Sequence, residues 1–162
     1  MSKSLILYFS VYGTAKNVAK EIARQTGADI MEIEPVVPYD SNRDHYNALA
    51  KLAKKEHDEE QRPAIKNMIP VGEYDVIYLG YPMWWYTFPM IIYTLFDQYD
   101  FSGKTLIPFN THMGSGDGGT YKTVKRLAPN ATVLEGLPME MTQAERGDKD
   151  RITQWLKAIK QI

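Results

Sequence analysis

The chain has 162 residues, a formal net charge of -1, and 44% apolar against 24% charged residues. That is the composition of a soluble globular protein with a sizeable core, and we read residues 1–162 as a single domain. The charge balance predicts no nucleic-acid partner, which calls for a clear basic excess. The absence of cysteine excludes disulfides, thiolate metal sites and cysteine nucleophiles. No basic-then-apolar leader opens the sequence and no apolar run is long enough to span a bilayer. The expectation is therefore a cytoplasmic protein with no membrane partner.

The apolar run Ser4 to Phe9 reads as a buried strand. A hydroxyl-rich turn follows, and a helix from about Ala15 to Thr26 ends at Gly27. A second strand spans about Asp29 to Ile33, and Pro35 and Pro38 enforce an irregular link. Next comes a helix from about Arg43 to Glu60, with Tyr46, Leu49, Ala50 and Ala53 as its apolar stripe. The charges crowding its end, Glu59 and Glu60 among them, read as a solvated face. A third strand covers about Asp75 to Tyr81, and a helix begins near Pro89. The fourth strand is about Thr105 to Asn110, with a helix from about Gly119 to Leu127 after it. A fifth strand is about Thr132 to Leu134, with continuation past Gly136 left open, and a last helix covers about Lys149 to Ile159. Asp148 caps that helix, and Ile152, Trp155, Leu156 and Ile159 form its buried stripe. Alternating strands and helices predict an α/β, doubly wound parallel sheet of five strands with helices on both faces. Ligands of such sheets bind beyond the carboxyl ends of the strands, so the loops after strands one, three and four matter most.

The first of these loops joins an apolar strand to a helix start. Free amides and the helix dipole make such a corner an anion pocket, and Ser10 and Thr14 add O–H donors. The second loop, Pro82 to Pro89, concentrates Met83, Trp84, Trp85, Tyr86 and Phe88. An apolar loop of this kind suits a stacking wall for a flat ring; it also suits a buried connection or an oligomer contact. It contains no glycine, which predicts that Met83, Trp84 and Trp85 resist positive φ. The third loop, Thr111 to Gly119, carries His112 and glycines whose backbone can approach a ligand and offer it N–H groups. Phosphate at one end and a flat polar-rimmed ring at the other describe flavin mononucleotide (FMN). A dinucleotide fits less well, because the first turn lacks G-x-G-x-x-G. Among His45, His57 and His112 none has a second ligand at a useful spacing, so no metal is expected.

From end to end the chain resembles the flavodoxin family. Ser10, Gly13 and Thr14 match that family's phosphate loop, S/T-x-T-G-N/T-T, while Tyr12 and Ala15 depart where it often has Thr. The resemblance implies strand order 2-1-3-4-5. It implies phosphate contacts from Ser10, Val11, Tyr12, Gly13, Thr14 and Ala15, with Lys16 and Asn17 as substitute charge and donor. It implies ring contacts from Pro82, Met83, Trp84, Trp85 and Tyr86 and from Thr111, His112, Gly114, Ser115 and Gly116. The implied function is electron transfer through FMN to a redox partner protein. Carriers of the family are usually strongly acidic, which a net charge of -1 does not match. The alternative is an FMN-dependent NAD(P)H:quinone-type reductase, whose small aromatic acceptor would stack on the Trp loop with Tyr86 or His112 as proton donor. A flavin-free interaction domain is the third reading. Either a monomer or a homodimer is compatible with the exposed aromatics.

Overall fold

A computed structural model describes residues 3–162. Six strands form one parallel sheet: β1 (Ser4–Tyr8), β2 (Asp29–Glu32), β3 (Val76–Pro82), β4 (Thr105–His112), β5 (Thr132–Val133) and β6 (Leu137–Glu140). The order is β2-β1-β3-β4-β5, with β6 also paired to β4. Fully apolar sequences such as Leu5-Ile6-Leu7 in β1 suit strands covered on both faces.

Six α-helices surround the sheet: α1 (Thr14–Thr26), α2 (Tyr46–Asp58), α3 (Met90–Gln98), α4 (Thr120–Leu127), α5 (Met141–Arg146) and α6 (Lys149–Ala158). One apolar cluster joins Leu5, Leu7, Ile77, Leu79 and Leu106 to Ile91, Leu95 and Val124 of α3 and α4. The other joins Ile6, Tyr78 and Ile107 to Val18 and Ile22 of α1 and to Ile152, Trp155 and Leu156 of α6. Odd and even strand positions thus feed opposite faces. Ile159 is only partly buried at the edge of the second cluster. Trp155 is a core residue, its indole N–H donating to Glu135 O at 2.9 Å.

Several expectations are corrected. The fifth strand stops after two residues, the chain leaves the sheet, and β6 rejoins β4 beside Phe109. Gly136 makes this possible, because a Cβ there would lie 2.7 Å from Pro108 O and 2.5 Å from the Tyr121 ring. The sheet therefore has six strands, and α5 is an added helix. The helix expected from Arg43 begins as a separate 3-10 turn, Arg43–His45, capped by the Asn42 side chain. In α2, Leu49 and Ala53 are buried but Tyr46 is exposed. The charged end of α2 is not uniformly solvated either. Glu56 is buried and accepts the Tyr39 hydroxyl proton at 2.7 Å. β4 extends to His112, which places Thr111 and His112 on a strand end rather than in a loop. No described helix is long and apolar enough to cross a membrane.

Candidate functional site

Parallel pairing brings the ends of β1, β3 and β4 side by side, with Tyr8 opposite Gly80 and Pro82 opposite Thr111. The turns leaving these strands enclose a cavity of about 500 Å³.

The first wall is the turn Ser10–Thr14. Gly13 at φ 89° reverses the chain into α1, a conformation a β-carbon disfavours. Gly13 N–H donates to Ser10 Oγ at 3.0 Å, which leaves the Ser10 proton free to donate elsewhere. The first helical bond runs from Asn17 N–H to Gly13 O, so the amides of Thr14, Ala15 and Lys16 have no intrahelical acceptor. Thr14 is 6% exposed, and its hydroxyl has no hydrogen-bond partner. Native proteins rarely leave such a group unpaired. Ser10, Val11, Tyr12, Thr14 and Ala15 all line the cavity. Lys16 and Asn17 are exposed on α1 and stand outside the lining, as does Gly13 itself.

The second wall is the aromatic loop, and all five residues from Pro82 to Tyr86 line the cavity. Met83 N–H donates to Thr111 O, anchoring the loop to β4. Trp84 and Thr87 exchange two backbone hydrogen bonds of 3.0 and 3.2 Å around Trp85 (φ 52°) and Tyr86 (φ 63°). This is a two-residue hairpin turn with both central residues at positive φ, a geometry that ordinarily selects Asn or Gly. Contrary to the sequence expectation, Trp85 adopts positive φ. Closure of the hairpin and the Trp85 indole N–H, which donates to Ala50 O of α2 at 2.9 Å, hold it there. Lys54 of the same helix lies over that indole, 5.7 Å from its centre. Trp84 turns inward and meets Phe9 and Tyr39 edge to face, at centroid distances of 5.5 and 5.2 Å. The loop is therefore an inward anchor at Trp84 and a cavity rim at Trp85 and Tyr86. Tyr86 is 76% exposed.

The third wall holds Thr111, His112, Met113, Gly114 and Ser115; Gly116 is set back from it. Two glycine amides are already used, Gly114 N–H by His112 Nδ1 and Gly118 N–H by Ser115 O, so this loop offers fewer free donors than expected. Gly118 packs so closely on the second wall that a Cβ would sit 3.0 Å from Tyr86 O. Behind the loop, Asn110 donates to Gly116 O and accepts the Tyr121 hydroxyl proton. Tyr81 and Thr120 share a buried hydroxyl contact of 2.7 Å. Burial holds the Tyr81 and Tyr121 phenols far above their usual range, so both stay protonated. His112 is pushed below the ordinary imidazole value, chiefly by burial, with Arg151 adding to the effect and Glu140 opposing it. It is neutral at pH 7. With Nδ1 accepting from Gly114, the ring proton resides on Nε2.

The sequence reading missed a fourth wall. Tyr46, Leu49, Ala50 and Ala53 of α2 and Met141 of α5 also line the cavity. The α2 residues were visible as an apolar stripe, but periodicity does not separate a core-facing stripe from one that also borders a cavity. Among the described residues no group of three or more His, Asp or Glu side chains is placed to hold a metal ion.

An open doubly wound sheet with an anion-suited turn and an aromatic wall at its carboxyl edge defines an α/β protein built to hold a small ligand at its switch point. The model of the family described as flavodoxin matches residues 3–159, and the chain belongs to that family. No curated protein matches it. A provisionally named flavoprotein from Bacteroides eggerthii DSM 20697 is 34% identical over 98% of both chains, with a TM-score of 0.84. A flavoprotein in complex with FMN from Lactobacillus acidophilus NCFM is 22% identical over 92% of this chain and 100% of its own, with a TM-score of 0.70. Oxidised flavodoxin 2 from Bacillus cereus is 21% identical over 98% of this chain and 97% of its own, with a TM-score of 0.60. At these lower identities the likeness is one of fold.

Proposed function

We propose that this protein binds FMN in the cavity and transfers electrons through it to a redox partner protein. The observation that carries the reading is the buried, unpartnered Thr14 hydroxyl at the N-terminus of α1, on the wall of a cavity that also has an aromatic wall at Trp84–Tyr86 and an apolar one on α2. Family membership and the FMN complex of the Lactobacillus flavoprotein support the choice of nucleotide. When bound, FMN supplies one- and two-electron chemistry, and the protein supplies orientation and electrostatics. Ser10, Thr14 and the first amides of α1 hold the phosphate. Trp84 and Trp85 keep water from the ring end, and the neutral His112 keeps a proton on Nε2 available to a carbonyl oxygen there. Titration of FMN with colourless protein is expected to quench the flavin fluorescence with micromolar or tighter affinity. Unquenched fluorescence overturns the reading.

One observation favours a second reading, an FMN-dependent reductase of small aromatic acceptors. The apolar face of α2 extends the cavity beside Trp85, which gives a planar substrate a place to lie. Oxidation of NADH or NADPH by FMN-loaded protein with a quinone present separates the two. Turnover no faster than that of free FMN leaves the electron carrier.

A further inference from the structure

Behind the aromatic wall lies a buried titratable pair that the proposed function leaves unused. Trp84 lines the cavity, and its indole meets the Tyr39 ring edge to face at a centroid distance of 5.2 Å. Tyr39 stands outside the cavity lining, and its hydroxyl donates to Glu56 Oε1 at 2.7 Å. Glu56 is 6% exposed, yet among the described residues no Lys, Arg or His forms an ion pair with it. An indole, a phenol and a carboxyl group thus follow one another in contact, from the cavity wall inward.

In a chain without cysteine, indole and phenol are the side chains that give up a single electron most readily. A phenol that has lost an electron is a strong acid, so the loss is easy only where the proton has a base to go to. Burial, with Glu56 adding to it, holds the Tyr39 phenol far above its usual range, so it stays protonated and the electron has to leave together with the proton. Burial also raises the Glu56 carboxyl, with the Tyr39 bond opposing, which makes this carboxylate a stronger base than an exposed one. A separation of 2.7 Å lies within reach for direct proton transfer.

The adjacent indole is set differently. Lys54 Nζ lies over the exposed Trp85 ring, 5.7 Å from its centre, where it opposes positive charge on that indole. Trp84 instead packs on the uncharged rings of Phe9 and Tyr39. Oxidising charge is therefore better placed on Trp84 than on Trp85, and Tyr39 is in contact to draw it off.

We propose that Trp84, Tyr39 and Glu56 form a relay that carries oxidising charge from the cavity to a tyrosyl radical behind its wall. A one-electron oxidant in the cavity, of which a photoexcited flavin is one kind, takes an electron from Trp84. The Trp84 radical cation takes an electron from Tyr39 as the phenol proton passes to the Glu56 carboxylate. The oxidant has then gained one electron and Trp84 is restored. Tyr39 is left as a neutral phenoxyl radical beside a protonated Glu56. The indole that faces the ligand is thereby spared covalent oxidation. Any one-electron oxidant that reaches Trp84 starts the relay, so it does not rest on the FMN reading above.

Pulse radiolysis of the ligand-free protein with the azide radical, which oxidises indole ahead of phenol, tests the relay without a flavin. Transient absorption follows the indole and phenoxyl radicals in ordinary and in heavy water for wild type, Trp84→Phe, Tyr39→Phe and Glu56→Gln. In wild type, part of the indole radical converts to phenoxyl in a phase that slows in heavy water. Trp84→Phe and Tyr39→Phe each keep an aromatic ring in place and lose that phase. Glu56→Gln keeps an acceptor for the hydroxyl but offers no site for its proton, so the phase is lost along with its isotope effect. A phase that persists unchanged in Tyr39→Phe, or that Glu56→Gln leaves at the wild-type rate, overturns the proposal. So does wild-type protein whose indole radical decays without forming phenoxyl. None of these outcomes touches the FMN reading, which the flavin titration decides.

Discussion

Across the cleft, the turn Ser10–Thr14 leaves hydroxyls without partners on a relaxed backbone, whereas the hairpin Trp84–Thr87 satisfies its own hydrogen bonds and carries the strain. In the first, the one positive φ falls on Gly13. In the second, two bulky residues occupy the left-handed region, at a cost of about 1–3 kcal/mol each. In the proposed site, the turn is thus made for phosphate by unmet bonding and the hairpin for the ring by fixed shape. Removing a hydroxyl on one side should weaken binding without harming the fold, and relieving strain on the other should do the reverse.

The largest contrast should come from Thr14→Val. It removes a hydroxyl that nothing in the protein satisfies, so the apo fold should be at least as stable as wild type, while FMN binding weakens about tenfold to a hundredfold. Urea midpoints and fluorescence titration read the two effects. A variant that loses stability and affinity together would show that the hydroxyl serves the fold.

A smaller effect, of opposite pattern, is expected from Tyr86→Gly. Tyr86 is mostly exposed and sits at φ 63°. Glycine removes the left-handed penalty and gives back part of it in chain entropy, so stability should rise by a few tenths to about 1 kcal/mol. Trp85→Gly should instead destabilise, because the indole bond to Ala50 O is lost with the strain. If both variants move the thermal midpoint in the same direction, the hairpin is not held as described.

The smallest effect concerns the support behind Trp84. Tyr39 packs on Trp84 and donates to Glu56, whose carboxyl is raised above its ordinary value by burial, with the Tyr39 bond opposing. A raised folded value means that the native state holds this proton more tightly than the unfolded chain. The associated stability is fully present below the unfolded value and is lost as pH rises through the folded one. Glu56→Gln keeps an acceptor for Tyr39 and should remove that decline. Stability curves of wild type and variant that stay parallel from acidic to neutral pH would contradict the assignment.

What the sequence discloses follows the same division. β1, the turn and α1 are contiguous, so their chemistry reads directly from Ser4 to Thr26. The ring side depends on partners far along the chain. Nothing local signals that the Trp85 indole reaches Ala50, 35 residues earlier, or that this contact helps hold Trp85 at positive φ. The α2 stripe was visible, but which of its residues border the cavity is set by how the helix docks. The split of the last strand escaped because two residues are too few for periodicity, and the crowding that requires Gly136 involves Pro108 and Tyr121.

The Asn110 side chain ties Gly116 of the third loop to Tyr121 of α4, with Tyr81 and Thr120 alongside. A molecule that steadies this loop therefore also steadies the opening turn of α4, at amides that do not border the cleft. Deuterium uptake at those amides would register occupancy without a dye or a coloured ligand, and would do so for colourless flavin analogues as readily as for FMN.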